Sequence, residues 1–543
     1  MATVKQALTQ RMIFGPIAKT AFVITALAIW SSHASSAFAA TYYVDPASGN
    51  DSNAGTSQSS PWKTIPGTRN TGNSGWLRSA WGSISSSSKL QPGDVIQLKA
   101  GGAMGSSVGG RLLIDGTYYN NGSANAPIII QVSPSWGSGN FTYDMSGVSP
   151  EQWSGLIHIQ DRSHIQIKGA GAGKRFVVKN ANGLGVNSYG SSGNRQQGIV
   201  FDYLEIAGSK DTGLNMSYSD NWRVSNTISH DNGTLGFGVG GLADQATNNG
   251  QFIDSEAYGN GKTDDGSGIR HGFGLYGGTN ISYIRCKARN NGRDGFDFGT
   301  TSNNSNTSAT VIDSSAYDNG EDGFGSNGGG SSNVYTYINS VAFNNAQAGW
   351  NIYGGADSSL YNCISHHNGS QNGYGGNFMI YAHNHDGKAA YTKAKLRNCI
   401  GYKPKAYANV YSYNSDGLPT SIDSDYNIFV PRSSDSETFA ETPFGSTFSY
   451  ANKPNWVGSH DKVGIAHDPK FAGVSTSSFA GNDYHLASGS GPAINAGIAI
   501  SGIATWTKDR DGKLRASPPE AGLYEYGGTV KALAAPTNLR VMN

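Results

Sequence analysis

Ser229-His230-Asp231-Asn232-Gly233, Ala257-Tyr258-Gly259-Asn260-Gly261, Ala288-Arg289-Asn290-Asn291-Gly292, Ala316-Tyr317-Asp318-Asn319-Gly320, Ala342-Phe343-Asn344-Asn345-Ala346 and Ser365-His366-His367-Asn368-Gly369 are versions of one phrase. Their asparagines are spaced by 28, 31, 28, 26 and 23 residues. A second phrase, glycine then an aromatic residue, follows the first five: Gly236-Phe237, Gly272-Phe273, Gly295-Phe296, Gly323-Phe324 and Gly349-Trp350. Alternating runs such as Gln251 to Ala257 and Ala309 to Ala316 precede the asparagines. Period-two runs bounded by Asn and Gly are short strands with turns. A unit of this length holds three such strands, and stacked units make a solenoid. The expected fold is therefore all-β, a right-handed parallel β-helix. Its regular coils are expected from about Asp94 to Val410, with Asn232, Asn260, Asn291, Asn319, Asn345 and Asn368 stacked at one turn.

Registering the phrases gives further columns. Thr227, Ser255, Cys286, Ser314, Ser340 and Cys363 form one; Ser229, Ala257, Ala288, Ala316, Ala342 and Ser365 form another. All are small and read as interior stacks, so Cys286 and Cys363 are expected to be buried, unpaired and several coils apart. With Cys399 as the only other cysteine, the chain has no disulfide framework and no zinc spacing.

Composition agrees. Of 543 residues 75 are glycine, 14% are charged and 11% aromatic. The aromatic content excludes disorder, the aperiodic glycines exclude collagen, and the low charge excludes a coiled coil. The N-terminus has Lys5, Arg11 and Lys19, an apolar stretch from Phe22 to Trp30, and Ala37-Phe38-Ala39 as a cleavage site. Residues 1–39 are thus expected to be a signal peptide, too short in its apolar run to span a bilayer. Residues 40–527 are expected to form the β-helix with an N-terminal cap and an irregular C-terminal end, and 528–543 a loose tail. The expectation is a secreted monomer, extracellular or periplasmic, with no membrane partner after cleavage. The near-neutral charge, without a Lys/Arg block, argues against nucleic acid.

One part of the repeat concentrates acids and bases. Before the Gly-aromatic glycine stand Leu235, His271, Asp294, Asp322 and Ala348; one place earlier stand Thr234, Arg270, Arg293, Glu321 and Gln347; after the aromatic stand Gly238, Gly274, Asp297, Gly325 and Asn351. On coils about 4.8 Å apart, His271, Asp294 and Asp322 should rise in one column beside Arg270, Arg293 and Glu321. A plain alternative is a set of solvated turns, in which Asp-Gly is common. Stacked carboxylates repel unless a cation or a shared proton relieves them, and oxygen-rich clusters suit calcium.

The opening Tyr42-Tyr43-Val44-Asp45-Pro46, the strand Pro92-Gly93-Asp94-Val95-Ile96-Gln97-Leu98 and the repeated coils resemble the right-handed parallel β-helix polysaccharide lyases, above all the pectate lyases of polysaccharide lyase family 9. The resemblance covers nearly the whole mature chain. It implies calcium-assisted β-elimination on an acidic, uronate-containing polysaccharide such as pectate. The family's Asn-x-Asp-Asp-Gly-x-Asp calcium stretch is matched by Asn291-Gly292-Arg293-Asp294-Gly295-Phe296-Asp297, with Arg293 in place of one acid. Asp264 and Asp265 are candidates to complete the metal shell with Asp294 and Asp297. The family's lysine base is missing, because Gly325 and Asn351 follow the later aromatics. Arg270, Arg293 and His271 are the candidate bases, with Asp322 as a further catalytic group. Glu321, Trp350, Tyr353 and Lys388, the last beyond the His383-Asn384-His385-Asp386 loop, are candidates for binding substrate. Two other functions stay open. One is a glycoside hydrolase or epimerase using Asp294 and Asp322; the other is a non-catalytic glycan binder with Tyr276, Trp350 and Tyr353 as sugar platforms.

Overall fold

A computed structural model describes residues 39–527, apart from 70–79, 106–109, 145, 147–154, 241–245, 263–268, 300–306, 329–332, 370–374, 383–390, 406–407, 415–419, 442–446, 488 and 490. The leader and tail expectations lie outside the described residues, as do Asp264, Asp265 and Lys388. Three 13-stranded sheets run the length of the coil. The first extends from Thr41–Val44 to Thr420–Asp425, the second from Ala103–Gly105 to Lys462–Val463, and the third from Leu112–Ile114 to Thr447–Ser449. Each strand pairs in parallel with its counterpart one coil away, except the last pair of the third sheet, which is antiparallel. This is the right-handed parallel β-helix expected from the repeat.

The coil is longer than the repeated phrase. Its first rung is Thr41–Val44, paired in register with Val95–Ala100, well before Asp94. Thr41–Val44 thus forms the first rung of the first sheet, with Trp62 stacked on Tyr42 at 4.6 Å.

The asparagines form a buried ladder. Asn232, Asn260, Asn291, Asn319 and Asn345 each donate from Nδ2 to Oδ1 of the asparagine one rung on, over 2.9, 3.0, 3.0, 2.9 and 2.9 Å. Each acceptor also takes the backbone N–H of the preceding asparagine, as in Asn260 N to Asn291 Oδ1 at 3.2 Å. One amide therefore satisfies donors that a buried corner would otherwise orphan. The ladder runs on through Asn377 and Asn409, which the repeat does not mark. Beside it stands an aromatic column, Phe237, Phe273, Phe296, Phe324, Trp350 and Phe378, with ring centroids 4.8 to 5.8 Å apart. Trp350 is fully buried in this column, so the expectation of a substrate platform there is wrong. Strand alternation turns Trp350 inward and Asn351 outward.

Cys286, Cys363 and Cys399 are all buried free thiols. Burial pushes the Cys286 thiol up to about 12.

A second set of asparagines, at left-handed corners, serves a different purpose. Asn339, Asn362 and Asn398 have φ of 50°, 54° and 58° and point outward. There they hold the C-terminal segment. Asn339 Nδ2 donates to Lys508 O at 3.0 Å, Asn362 Nδ2 to Gly522 O at 2.9 Å, and Asn398 Nδ2 to Ile498 O at 2.9 Å. Trp506 donates its indole N–H to Asn362 Oδ1 at 2.6 Å. Val341, Ile364 and Ile400 lie beneath, packed against Tyr484, Leu486, Ala521 and Leu523. A buried Arg515–Glu525 ion pair at 2.9 Å closes the segment on itself.

Asn291→Ala removes an acceptor of two donors and a donor of two bonds. It should lower unfolding free energy by about 2–4 kcal/mol in urea titration; a change under about 0.5 kcal/mol would place the ladder among surface contacts. The three thiols should resist labelling in the native protein and react once it is unfolded.

Candidate functional site

The site is built on the outer face of the third sheet, where rung register stacks residues from separate repeats. Arg293 N donates to Arg270 O at 2.8 Å and Glu321 N to Arg293 O at 3.1 Å, which aligns Arg270, Arg293 and Glu321. Gly272 N to Asp294 O and Gly295 N to Asp322 O align His271, Asp294 and Asp322 in the next column. Strand pairing places Gly274, Asp297, Gly325 and Asn351 in a third. Tyr353 and Tyr381, parallel at 5.3 Å, flank it.

His271 is the centre. Its Nδ1 is 3.1 Å from Asp294 Oδ2, and its Nε2 is 3.5 Å from Asp297 Oδ2. Nδ1 also lies 3.2 Å from the Asp294 N–H, which would need a lone pair there. The carboxylate needs a proton on the same atom. Burial opposes charge on the ring, but Asp297 and Asp294 outweigh it and raise the His271 pKa. The two carboxylates hold a proton on the ring more tightly than in free histidine, and His271 is clamped between them. This opposes its expected role as a base near neutral pH. Burial raises Asp297, and His271 only partly offsets this.

Asp297 is fixed from the other side. The Tyr276 hydroxyl donates to its Oδ2 at 3.0 Å. The Tyr276 ring lies across Gly274, where a Cβ would come within 2.8 Å of the ring. Only glycine admits that ring, so Tyr276 orients a carboxylate and its ring is not a free platform.

Asp322 and Asn351 complete the cluster. Asn351 Nδ2 donates to Asp322 Oδ2 at 2.7 Å, and the Asp322 N–H donates to Asp294 Oδ1 at 2.9 Å. Yet Asp322 Oδ1 and Asn351 Oδ1 are buried without a hydrogen-bond partner. Burial, then the nearby Asp294, raises the Asp322 pKa well above the usual carboxylate range. Arg293 pairs with Glu321 at 2.8 Å, and that carboxylate helps hold its guanidinium charged against burial. Arg293 is thus a poor proton acceptor. The Arg270 stem passes over Gly261, where a Cβ would lie 2.3 Å from the arginine Cβ.

These residues fit a hard cation. His271, Asp294 and Asp297 present ligand atoms within 4.8 Å of one another. Asp297 Oδ1 and Asp294 Oδ2 lie 3.6 and 3.7 Å from where a Gly325 Cβ would stand, so both border the space above that glycine. The unpartnered oxygens of Asp322 and Asn351 add donors of the type that calcium takes in sets of about 6–8. Asn351 and Tyr381 carry no charge and leave no mark in a search for acids and bases.

No family model and no curated protein matches the chain. Among solved structures it is similar to pectate lyase Pel9A (18% identity, 90% of this chain and 96% of that one, TM-score 0.47). It is also similar to the A-module of the Azotobacter vinelandii mannuronan C-5 epimerase AlgE6 (15%, 64% and 87%, 0.47). A rhamnogalacturonan lyase is similar at 15%, over 82% and 93%, with a TM-score of 0.41.

In calcium-free buffer, His271 should titrate above about 6.5 by histidine-selective NMR, and Asp297→Asn should lower that value. A raised folded pKa means that the ring's contribution to stability is complete below about pH 6.5. It is lost as pH rises through the folded value. A midpoint at or below the ordinary value in the native protein would remove the clamp.

Proposed function

We propose that this protein is an exported, monomeric polysaccharide lyase that cleaves a uronate-containing glycan by calcium-assisted β-elimination. The observation that carries the reading is the pair of buried, unpartnered oxygens, Asp322 Oδ1 and Asn351 Oδ1, beside Asp294 and next to two arginines. Such oxygens call for a cation, and the arginines suit a sugar carboxylate. Asp294, Asp297, Asp322 and Asn351 would hold calcium. The ion, when bound, supplies positive charge that stabilises the enolate-like transition state. Arg293, oriented by Glu321, holds the uronate carboxylate. Arg270 stands next to it as the candidate base for the proton α to that carboxylate. His271 and Tyr276 keep Asp294 and Asp297 in place. The C–H and glycosidic C–O bonds break, the ring double bond forms, and the leaving oxygen takes a proton from water.

A second reading has its own support. With no cation, burial and then Asp294 favour the protonated form of Asp322, and Asp294 one rung away is a second carboxylate. A buried acid with a raised pKa beside a second carboxylate is the arrangement of a glycoside hydrolase.

Product spectra separate the two. Incubation with a panel of acidic polysaccharides should yield an unsaturated, ultraviolet-absorbing product that disappears in excess chelator. Asp294→Asn should cost at least about 10²-fold in rate with the fold intact by circular dichroism. New reducing ends without that absorbance, unaffected by chelator, would overturn the lyase reading in favour of Asp322 as a general acid.

A further inference from the structure

The third sheet's outer face continues well beyond the acidic cluster. Strand pairing carries the column of Asp297 back through Gly274, Gly238, Asn215 and Asn187 to His158. These floor residues are small or polar, and Asn215 Nδ2 donates to Asn187 Oδ1 at 3.0 Å. At the far end the chemistry changes sign. Arg69 and Arg111 lie side by side, joined by Arg69 N to Arg111 O at 2.8 Å.

We propose that Arg69, Arg111 and His158 form a second binding site on this face, an oxyanion subsite for a carboxylate or sulfate ester of the glycan. It lies five rungs, about 24 Å at roughly 4.8 Å per rung, from Asp297. The inference rests on reading this face as the groove for an acidic glycan.

Three observations support it. His158 is 7% exposed, and its Nδ1 has no hydrogen-bond partner. Arg69 is half-buried, its Nε is without a partner, and no ion pair reaches it among the described residues. The local field is positive: burial, then Arg111 and Arg69, push His158 down to about 4, with Asp115 a weaker opposing charge. Leaving a guanidinium half-buried and unpaired is unfavourable in the free protein. An oxyanion supplies the missing acceptors, and guanidinium groups present forked donors to it. In the acidic cluster carboxylates outnumber the arginines. A polyanion thus gains attraction at this end and meets its reactive position at the other.

The test is isothermal titration calorimetry on the full chain in an Asp294→Asn background, which prevents turnover, with polygalacturonate, dextran sulfate and dextran as probes. Arg69→Gln should weaken polygalacturonate binding about tenfold, and Arg69→Lys less. The difference should fade at high salt, and dextran should be unaffected. A loss confined to dextran sulfate assigns the subsite to sulfate esters. Unchanged affinity for both polyanions in Arg69→Gln and Arg111→Gln overturns the subsite. So does an equal loss for dextran, or the absence of polyanion binding in the parent. Circular dichroism checks that the variants fold. Missing unsaturated product from the protein with Asp294 intact, with Arg69-dependent binding in the Asp294→Asn background, overturns the lyase reading and leaves the subsite. Unsaturated product with Arg69-independent binding does the reverse.

Discussion

Side-chain amides bonded from rung to rung hold the corner on which this coil turns. A parallel β-helix closes its sheets by bending the chain three times per rung, and each bend takes backbone groups out of the sheet ladders. Water cannot reach them in a buried corner, so the protein must supply partners. One asparagine per rung does so, because an amide has both donor and acceptor and is short enough to reach the next rung. Once that stack exists, rung spacing and register are set for every column beside it, including the aromatic one with Trp350.

The acidic cluster depends on this register. Its members come from four repeats, and none is held in place by its sequence neighbours alone. Sequence insertions between rungs change the repeat from 23 to 31 residues without shifting the columns, because the extra residues leave at turns. Within the site, the buried His271 ring lies between Asp294 and Asp297, and small residues at Gly274 and Gly325 make the room. The cluster is thus strained electrostatically but not sterically. Two buried oxygens, Asp322 Oδ1 and Asn351 Oδ1, stay unpartnered.

Much of the fold was legible because the corner chemistry repeats. The asparagines, the Gly-aromatic phrase and the small interior columns all name the same turn and its flanks. Trp350 was misread because its inward direction shows only when the aromatic column is followed through Phe324 and Phe378. Asn377 and Asn409 were missed because they stand at the glycine place of the Gly-aromatic phrase and not in the column of Asn345, although they do the work of the ladder. The columns of the site could be read off the repeats, but the raised pKa of His271 could not. It depends on two carboxylates within 3.5 Å, a distance that spacing alone does not provide. Arg69, Arg111 and His158 lie far apart in sequence and outside the repeat, so no pattern joins them.

Asparagine corners at Asn339, Asn362 and Asn398 have a consequence for how the coil finds its frame. Repeated rungs are nearly interchangeable: a strand that zipped onto the wrong neighbour would still find asparagine, small and aromatic partners at the expected places. The C-terminal segment is not interchangeable. Trp506 has one indole to place on Asn362, and Arg515 reaches Asn339 at 2.6 Å while pairing with Glu525. A coil shifted by one repeat would offer Asp313 where Asn339 belongs, or Tyr426 where Asn398 belongs, and the segment would lose one of its three asparagine anchors. The segment thus acts as a key cut for one frame, and its closure distinguishes a correctly wound molecule from its near-copies.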